Sequence, residues 1–151
     1  MKVADQPVFV GVGGGITRGA RVEDIARDAE FKGAIGVVLN APTPNETIVA
    51  LAKRIDVPIV ITVVREDENF KARLDSGASI FNVSGASRTA NTVKRLKDAC
   101  PDAAVIATGG PSDISIFETI EAGADAITYT PPPAGQIFKE LMEKYRFQDP
   151  V

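Results

Sequence analysis

Six short apolar runs alternate with amphipathic helix patterns along the chain, and this alternation restricts it to very few folds. The runs are Val8–Val12, Ile35–Leu39, Ile59–Val64, Ile80–Val83, Ala104–Ala107 and Ala126–Tyr129. They are rich in Val and Ile and apolar on both sides, as parallel strands covered by helices are. Between them, Val22, Ile25, Ala26 and Ala29 fit the i, i+3, i+4, i+7 spacing of a helix face, and so do Ile48, Leu51, Ala52 and Ile55. Val93, Leu96 and Cys100 form a third stripe. Ile137, Phe138, Leu141, Met142 and Tyr145 form the face of a last helix. Strands that alternate with helices predict an α/β fold with a parallel sheet.

Punctuation between the elements agrees. Gly33, Gly77 and Gly123 each follow a helix pattern and precede Ala and a strand, the place of a C′ glycine. Their spacing suggests a weak repeat of paired strand–helix units. Thr43-Pro44-Asn45-Glu46 reads as an N-cap threonine, a first-turn proline and a glutamate three residues after the cap. Ser112 is a natural N-cap after the Gly109-Gly110 pair. No linker or low-complexity tract divides the 151 residues, so one domain spanning 1–151 is expected.

Two architectures fit: a barrel-like fold of six strand–helix units, and a doubly wound, flavodoxin-like open sheet. A full eight-unit barrel usually takes at least ~200 residues. Six units therefore mean an incomplete TIM barrel, a barrel whose first units lie outside this stretch, or strands completed by a partner chain. Side-chain alternation favours the barrel. One face carries Phe9, Gly36, Val38, Asn40, Thr62, Val64, Asn82, Ser84, Thr108, Thr128 and Thr130, and it turns polar toward the C-terminal strand ends. The other face is uniformly apolar. A barrel interior with its site at that end has this pattern. Open edges are seldom tolerated, so a homo-oligomer or a covered edge is expected.

Composition excludes several chemistries. The chain has no histidine, which removes His-based metal sites and Ser-His-Asp or Cys-His catalysis. The single cysteine, Cys100, reads as a structural thiol. The net charge of -3 does not attract nucleic acid or an anionic membrane in bulk. Neither a signal peptide nor an apolar run of membrane-spanning length is visible, so the expected compartment is the cytoplasm. Asp67, Glu68 and Asp75 form no coordination pattern, and neither a metal nor a cofactor is expected.

Glycine clusters after the strands are the candidate site. Gly109 and Gly110 follow the fifth run, and Gly13, Gly14 and Gly15 follow the first. Each precedes a helix pattern, and free N–H groups with a helix N-terminus behind them favour an anion. Ser84-Gly85-Ala86-Ser87 is a third N–H-rich turn. Each can equally be only a tight or capping turn. Glu66 is the only ionisable residue on the interior face, which suits a general acid or base. Its alternative is a solvated member of Arg65-Glu66-Asp67-Glu68 opening a helix. Arg65 can pair with a substrate anion or with a surface acid. Asn40, Asn82 and Thr108 are placed to orient substrate hydroxyls.

Val105-Ile106-Ala107-Thr108-Gly109-Gly110, followed after a helix by Glu121-Ala122-Gly123-Ala124-Asp125-Ala126-Ile127, resembles the last two units of phosphate-binding (β/α)8 barrels of the ribulose-phosphate-binding type. Gly13-Gly14-Gly15-Ile16 is similar to a stretch after an earlier strand in the histidine-biosynthesis members. The strand–helix order also resembles the glycerol-responsive antiterminator family. The resemblance implies a phosphorylated small-molecule ligand held by Gly109, Gly110 and the turn after the last strand. Pro131-Pro132-Pro133 has no N–H to offer, so the donors there would be Ala134, Gly135 and Gln136. The usual catalytic lysine or aspartate on the first two strands has no counterpart. The resemblance thus implies either lyase, isomerase or hydrolase chemistry on a sugar-phosphate-like substrate, or a non-catalytic metabolite sensor.

Overall fold

A computed structural model describes residues 6–110, 112–129 and 133–147. Six strands, β1 (Phe9–Gly14), β2 (Gly36–Asn40), β3 (Ile59–Val63), β4 (Ile80–Val83), β5 (Ala104–Thr108) and β6 (Ala126–Thr128), form one sheet in the order β1-β2-β3-β4-β5-β6. Every neighbouring pair is parallel. The connecting helices are α1 (Ala20–Phe31), α2 (Asn45–Ala52), α3 (Phe70–Asp75), α4 (Thr89–Ala99, preceded by a 3-10 turn at Ala86–Arg88) and α5 (Asp113–Glu121). A sixth, α6 (Ala134–Phe147), follows β6.

Strand order decides between the two architectures. A doubly wound sheet reverses direction at a switch point. This sheet never reverses, and right-handed crossovers between consecutive strands then place the helices on a single face. The chain is therefore six units of a (β/α) barrel. β1 and β6 do not pair, so the barrel is open.

Burial follows the same division. Val37, Leu39, Ile61, Val63, Phe81, Val83, Val105 and Ala107 point under the helices and are at most 3% exposed. They meet Val22 and Ala26 of α1, Ile48 and Leu51 of α2, Phe70 of α3, and Val93 and Leu96 of α4. Phe70 and Phe81 pack edge to face, with ring centroids 5.8 Å apart, a favoured aromatic geometry. On the helix-free face Phe9 lies over Gly36, where a Cβ would come 2.5 Å from its ring. That glycine leaves room for the ring across the β1–β2 pair.

The helix ends show how the Gly-Ala pairs work. The N–H groups of Gly33, Gly77 and Gly123 bond back to Glu30, Leu74 and Ile120, each at 2.9 Å. Those of Ala34, Ala78 and Ala124 reach Ala29, Arg73 and Thr119. All three glycines have positive φ, so each pair closes its helix by a Schellman motif and turns the chain into the next strand.

Two boundaries differ from expectation. Thr43 does not cap α2: its hydroxyl donates to the Asn40 carbonyl at 2.6 Å, and Pro44 occupies the N-cap. That bond ties the hydroxyl back to the end of β2, and no side chain caps α2. Arg65–Glu68 does not open a helix either; α3 starts at Phe70, with Asn69 Oδ1 accepting from the Ala72 N–H at 3.1 Å. The expected interior position Thr130 lies outside the described residues.

Candidate functional site

All the strands point the same way, so their C-terminal ends share one edge, and the candidate residues gather there. They do not form one constellation. The turns after β4 and β5 face each other across a cleft of about 460 Å³, with Ala86 and Ser87 on one side and Gly109, Gly110 and Ser112 on the other. Thr108 lies at its floor and Glu118 on its α5 wall.

The two sides of this cleft are held differently. Ser112 and Ser115 form a reciprocal capping box at the start of α5. Ser115 Oγ also donates to the Gly109 carbonyl at 3.0 Å. Gly110 has φ 79°, and a Cβ there would meet Ser115 Oγ at 2.7 Å, so only glycine fits. The Gly109 N–H donates to the Thr128 carbonyl at 3.3 Å. Opposite, Gly85 N–H donates to Thr89 Oγ1 at 3.0 Å. Ser84 N–H belongs to the sheet, bonded to Val63. Ala86 has φ 53°, a left-handed conformation that costs a non-glycine residue about 1–2 kcal/mol. Of the Ser84-Gly85-Ala86-Ser87 turn singled out in the sequence, Ala86 and Ser87 are the residues that line the cleft. The left-handed alanine leaves no trace in the sequence.

The Gly13–Gly15 turn lies elsewhere, at the edge strand β1. Gly14 N–H donates to the Thr17 carbonyl at 3.0 Å, and Gly15 N–H to the Pro42 carbonyl at 2.9 Å. A Cβ on Gly14 would collide with the Asn40 carbonyl. Close approach to the β2–α2 loop accounts for a glycine there, and two of the three N–H groups are satisfied by protein.

A second cleft of about 340 Å³ lies beyond β2 and β3, lined by Pro42, Thr62, Val64, Arg65, Glu68 and Arg73 among others. Arg73, missed in the sequence because its partners Thr43 and Asn45 are remote along the chain, spans it. Its Nε donates to Glu68 at 2.7 Å and its Nη1 to Asn45 Oδ1 at 2.8 Å, with the Thr43 carbonyl also in reach. Arg65 makes two bonds to Asp67 at 2.8 and 2.6 Å. The Asp67 carboxylate raises the Arg65 pKa, and the guanidinium lowers that of Asp67.

Glu66 turns away from the helix-free face. Its carboxylate lies 3.9 Å from Arg88 and 3.8 Å from Arg95. On that face, Asn82 Nδ2 donates to Thr62 Oγ1 at 3.3 Å, and the Thr108 and Thr128 hydroxyls are 3.4 Å apart. These two cross-strand pairs form a polar layer near the C-terminal edge. Asn40 is exposed at the end of β2. Ala134 and Gly135 are exposed at the start of α6 and do not line the cleft. No helix among the described residues is long and apolar enough to cross a membrane.

Several solved structures share this architecture. A mandelate oxidase variant carrying a monooxide FMN adduct superposes with a TM-score of 0.71 at 18% identity, covering 83% of this chain and 48% of that one. A protein assigned as a phosphonomutase from Burkholderia cenocepacia J2315 gives 0.67 at 21% identity, covering 95% of this chain and 70% of that one. A mandelate oxidase with benzoyl-formic acid gives 0.68 at 16% identity. The chain thus spans about half of the mandelate oxidase structures. At such identities the likeness establishes the barrel fold. No protein-family model and no curated protein matches the sequence.

Proposed function

We propose that the chain binds a phosphorylated small metabolite in the cleft between the Ala86-Ser87 and Gly109-Gly110 turns. One observation carries this reading: two turns from adjacent strands, separate in sequence, line one cleft at the C-terminal edge of the sheet, beside the N-terminus of α5. Barrel enzymes place their sites at that edge. The N-terminus of α5 adds a favourable field for an anion, and the Ser87 and Ser112 hydroxyls add donors. Glu118, further along the same α5 wall, favours a ligand whose anionic group sits toward the α5 N-terminus and whose neutral, hydroxyl-bearing end lies along α5. The named neighbours fit the same class, since FMN bears a phosphate and a phosphonomutase by its name handles a phosphonate.

The chemistry on such a ligand is lyase, isomerase or hydrolase work, with Thr108 at the cleft orienting a hydroxyl; Asn82 and Asn40 stand at the same strand edge, and Glu66, the expected acid or base, lies outside the cleft against Arg88 and Arg95. A second reading, binding without turnover by a metabolite sensor, is favoured by the two arginines that hold Glu66. The test of binding is titration with inorganic phosphate and sugar phosphates, comparing the native chain with Ser87→Glu. Saturable binding that Ser87→Glu abolishes supports the site. Binding that Ser87→Glu leaves intact removes it. The test of turnover is Glu66→Gln: unchanged turnover on an identified substrate would discard Glu66 as the acid or base.

A further inference from the structure

We propose that α6 is exchanged between two copies of this chain, the helix of one lying on α5 of the other. The helix is amphipathic, yet every side chain described along it is exposed. Ile137, Leu141 and Met142 are 47%, 48% and 36% exposed, and Phe138 and Tyr145 more so. An apolar stripe on a surface helix normally faces a core, and nothing among the described residues of this chain covers this one.

A matching stripe stands uncovered on the preceding helix. Ile114, Phe117 and Ile120 of α5 are 72%, 66% and 47% exposed. Their spacing of three residues keeps them on one side of the helix. α4 already packs against α5, so this stripe is a vacant flank of the helix layer. α5 and α6 therefore each show what the other lacks.

Charge separates a second copy from an arbitrary partner. α5 carries Asp113, Glu118 and Glu121 and no basic residue. α6 carries Lys139, Lys144 and Arg146 against Glu140 and Glu143, with Lys139 Nζ 3.9 Å from Glu143. An acidic acceptor and a more basic donor are thus encoded in the same chain. Each copy both donates and accepts a helix, so the exchange closes as a two-fold pair with no free end.

The experiment is light scattering with sedimentation over a concentration series, on the native chain, on Leu141→Glu and on Phe117→Glu. Circular dichroism checks that each remains folded, which is expected because both positions are exposed. The native chain is expected at twice its 16.0 kDa mass. Each variant should weaken the pair at least about thirtyfold, the effect of losing a central apolar contact. A mixture of the two variants should associate more tightly than either alone, because one of its two exchanges is intact. A native chain that stays monomeric at every concentration overturns the proposal. So does a dimer lost in Leu141→Glu but kept in Phe117→Glu, which means that two α6 helices pair with each other. A mixture no tighter than either variant also overturns it.

Discussion

Lys97 Nζ on α4 lies 2.9 Å from Asp125 Oδ2 at the start of β6, and that same carboxylate oxygen accepts the Val105 N–H at 2.8 Å. Lys97 also donates to the Ala103 carbonyl at 2.8 Å. Two side chains thereby tie α4, β5 and β6 together at the N-terminal ends of the strands, the end of a barrel that carries stability and not chemistry. The aspartate of Gly123-Ala124-Asp125, which drew attention to the phosphate-binding barrels, is a structural clasp. Asp125→Asn is therefore expected to cost about 1 kcal/mol, kept small because the Asp125 side chain is more than half exposed. A urea melt with unchanged slope and a lowered midpoint checks this.

The same clasp has a pH signature. Lys97, then the Val105 N–H, lower the Asp125 pKa below its ordinary value. A group whose folded pKa is depressed contributes stability that is full above its unfolded value, near 3.9, and is lost as pH falls through the folded one. The stability difference between the native chain and Asp125→Asn is therefore constant around neutrality and narrows below about pH 4. Paired denaturant melts from pH 7 to pH 3 measure it; a difference that widens on acidification contradicts the clasp.

Ala86 is held left-handed at the wall of the cleft. Ala86→Gly relieves a conformation worth about 1–2 kcal/mol, against a smaller entropic loss in the unfolded chain. The melting temperature is expected to rise by a few degrees, on a scale of roughly 2–4 °C per kcal/mol for a chain of this size. A fall would show that the local strain is compensated by contacts Ala86 alone makes.

Gly110→Ala should do the opposite. Its Cβ meets Ser115 Oγ at 2.7 Å in a backbone conformation that L residues avoid. The capping box must shift, at a cost of about 1–3 kcal/mol. Ser112→Ala, which removes the cap without steric conflict, should cost about 1 kcal/mol. Thermal melts of the two variants rank these effects, and the glycine change is expected to be the larger.

Much of the fold could be read from the chain. Buried parallel strands are continuous apolar runs, and Phe81, Val83, Val105 and Ala107 lie where alternation puts them. Schellman glycines leave a local signature, so Gly33, Gly77 and Gly123 were legible, and so was the cap at Ser112. The misreadings share one cause: a local pattern overruled by a partner that the pattern does not contain. The Thr43 hydroxyl is drawn to the Asn40 carbonyl. Glu66 is drawn to two arginines on and before α4. Gly14 is glycine because the β2–α2 loop crosses close to it. Periodicity identified α6 as a helix with an apolar face but could not say that the face stays uncovered among the described residues.

The most direct test of the central claim is a thermal-shift series on the native chain with inorganic phosphate, sulfate and a panel of sugar and triose phosphates, repeated on Ser87→Glu. A ligand at ~100 Kd adds about 2.7 kcal/mol to the native state. On this chain that corresponds to a rise of roughly 5–10 °C. A rise with one phosphorylated compound that disappears in Ser87→Glu is the predicted result. No rise with any anion, or an equal rise in both proteins, would contradict the account and leave the glycines as turn residues alone.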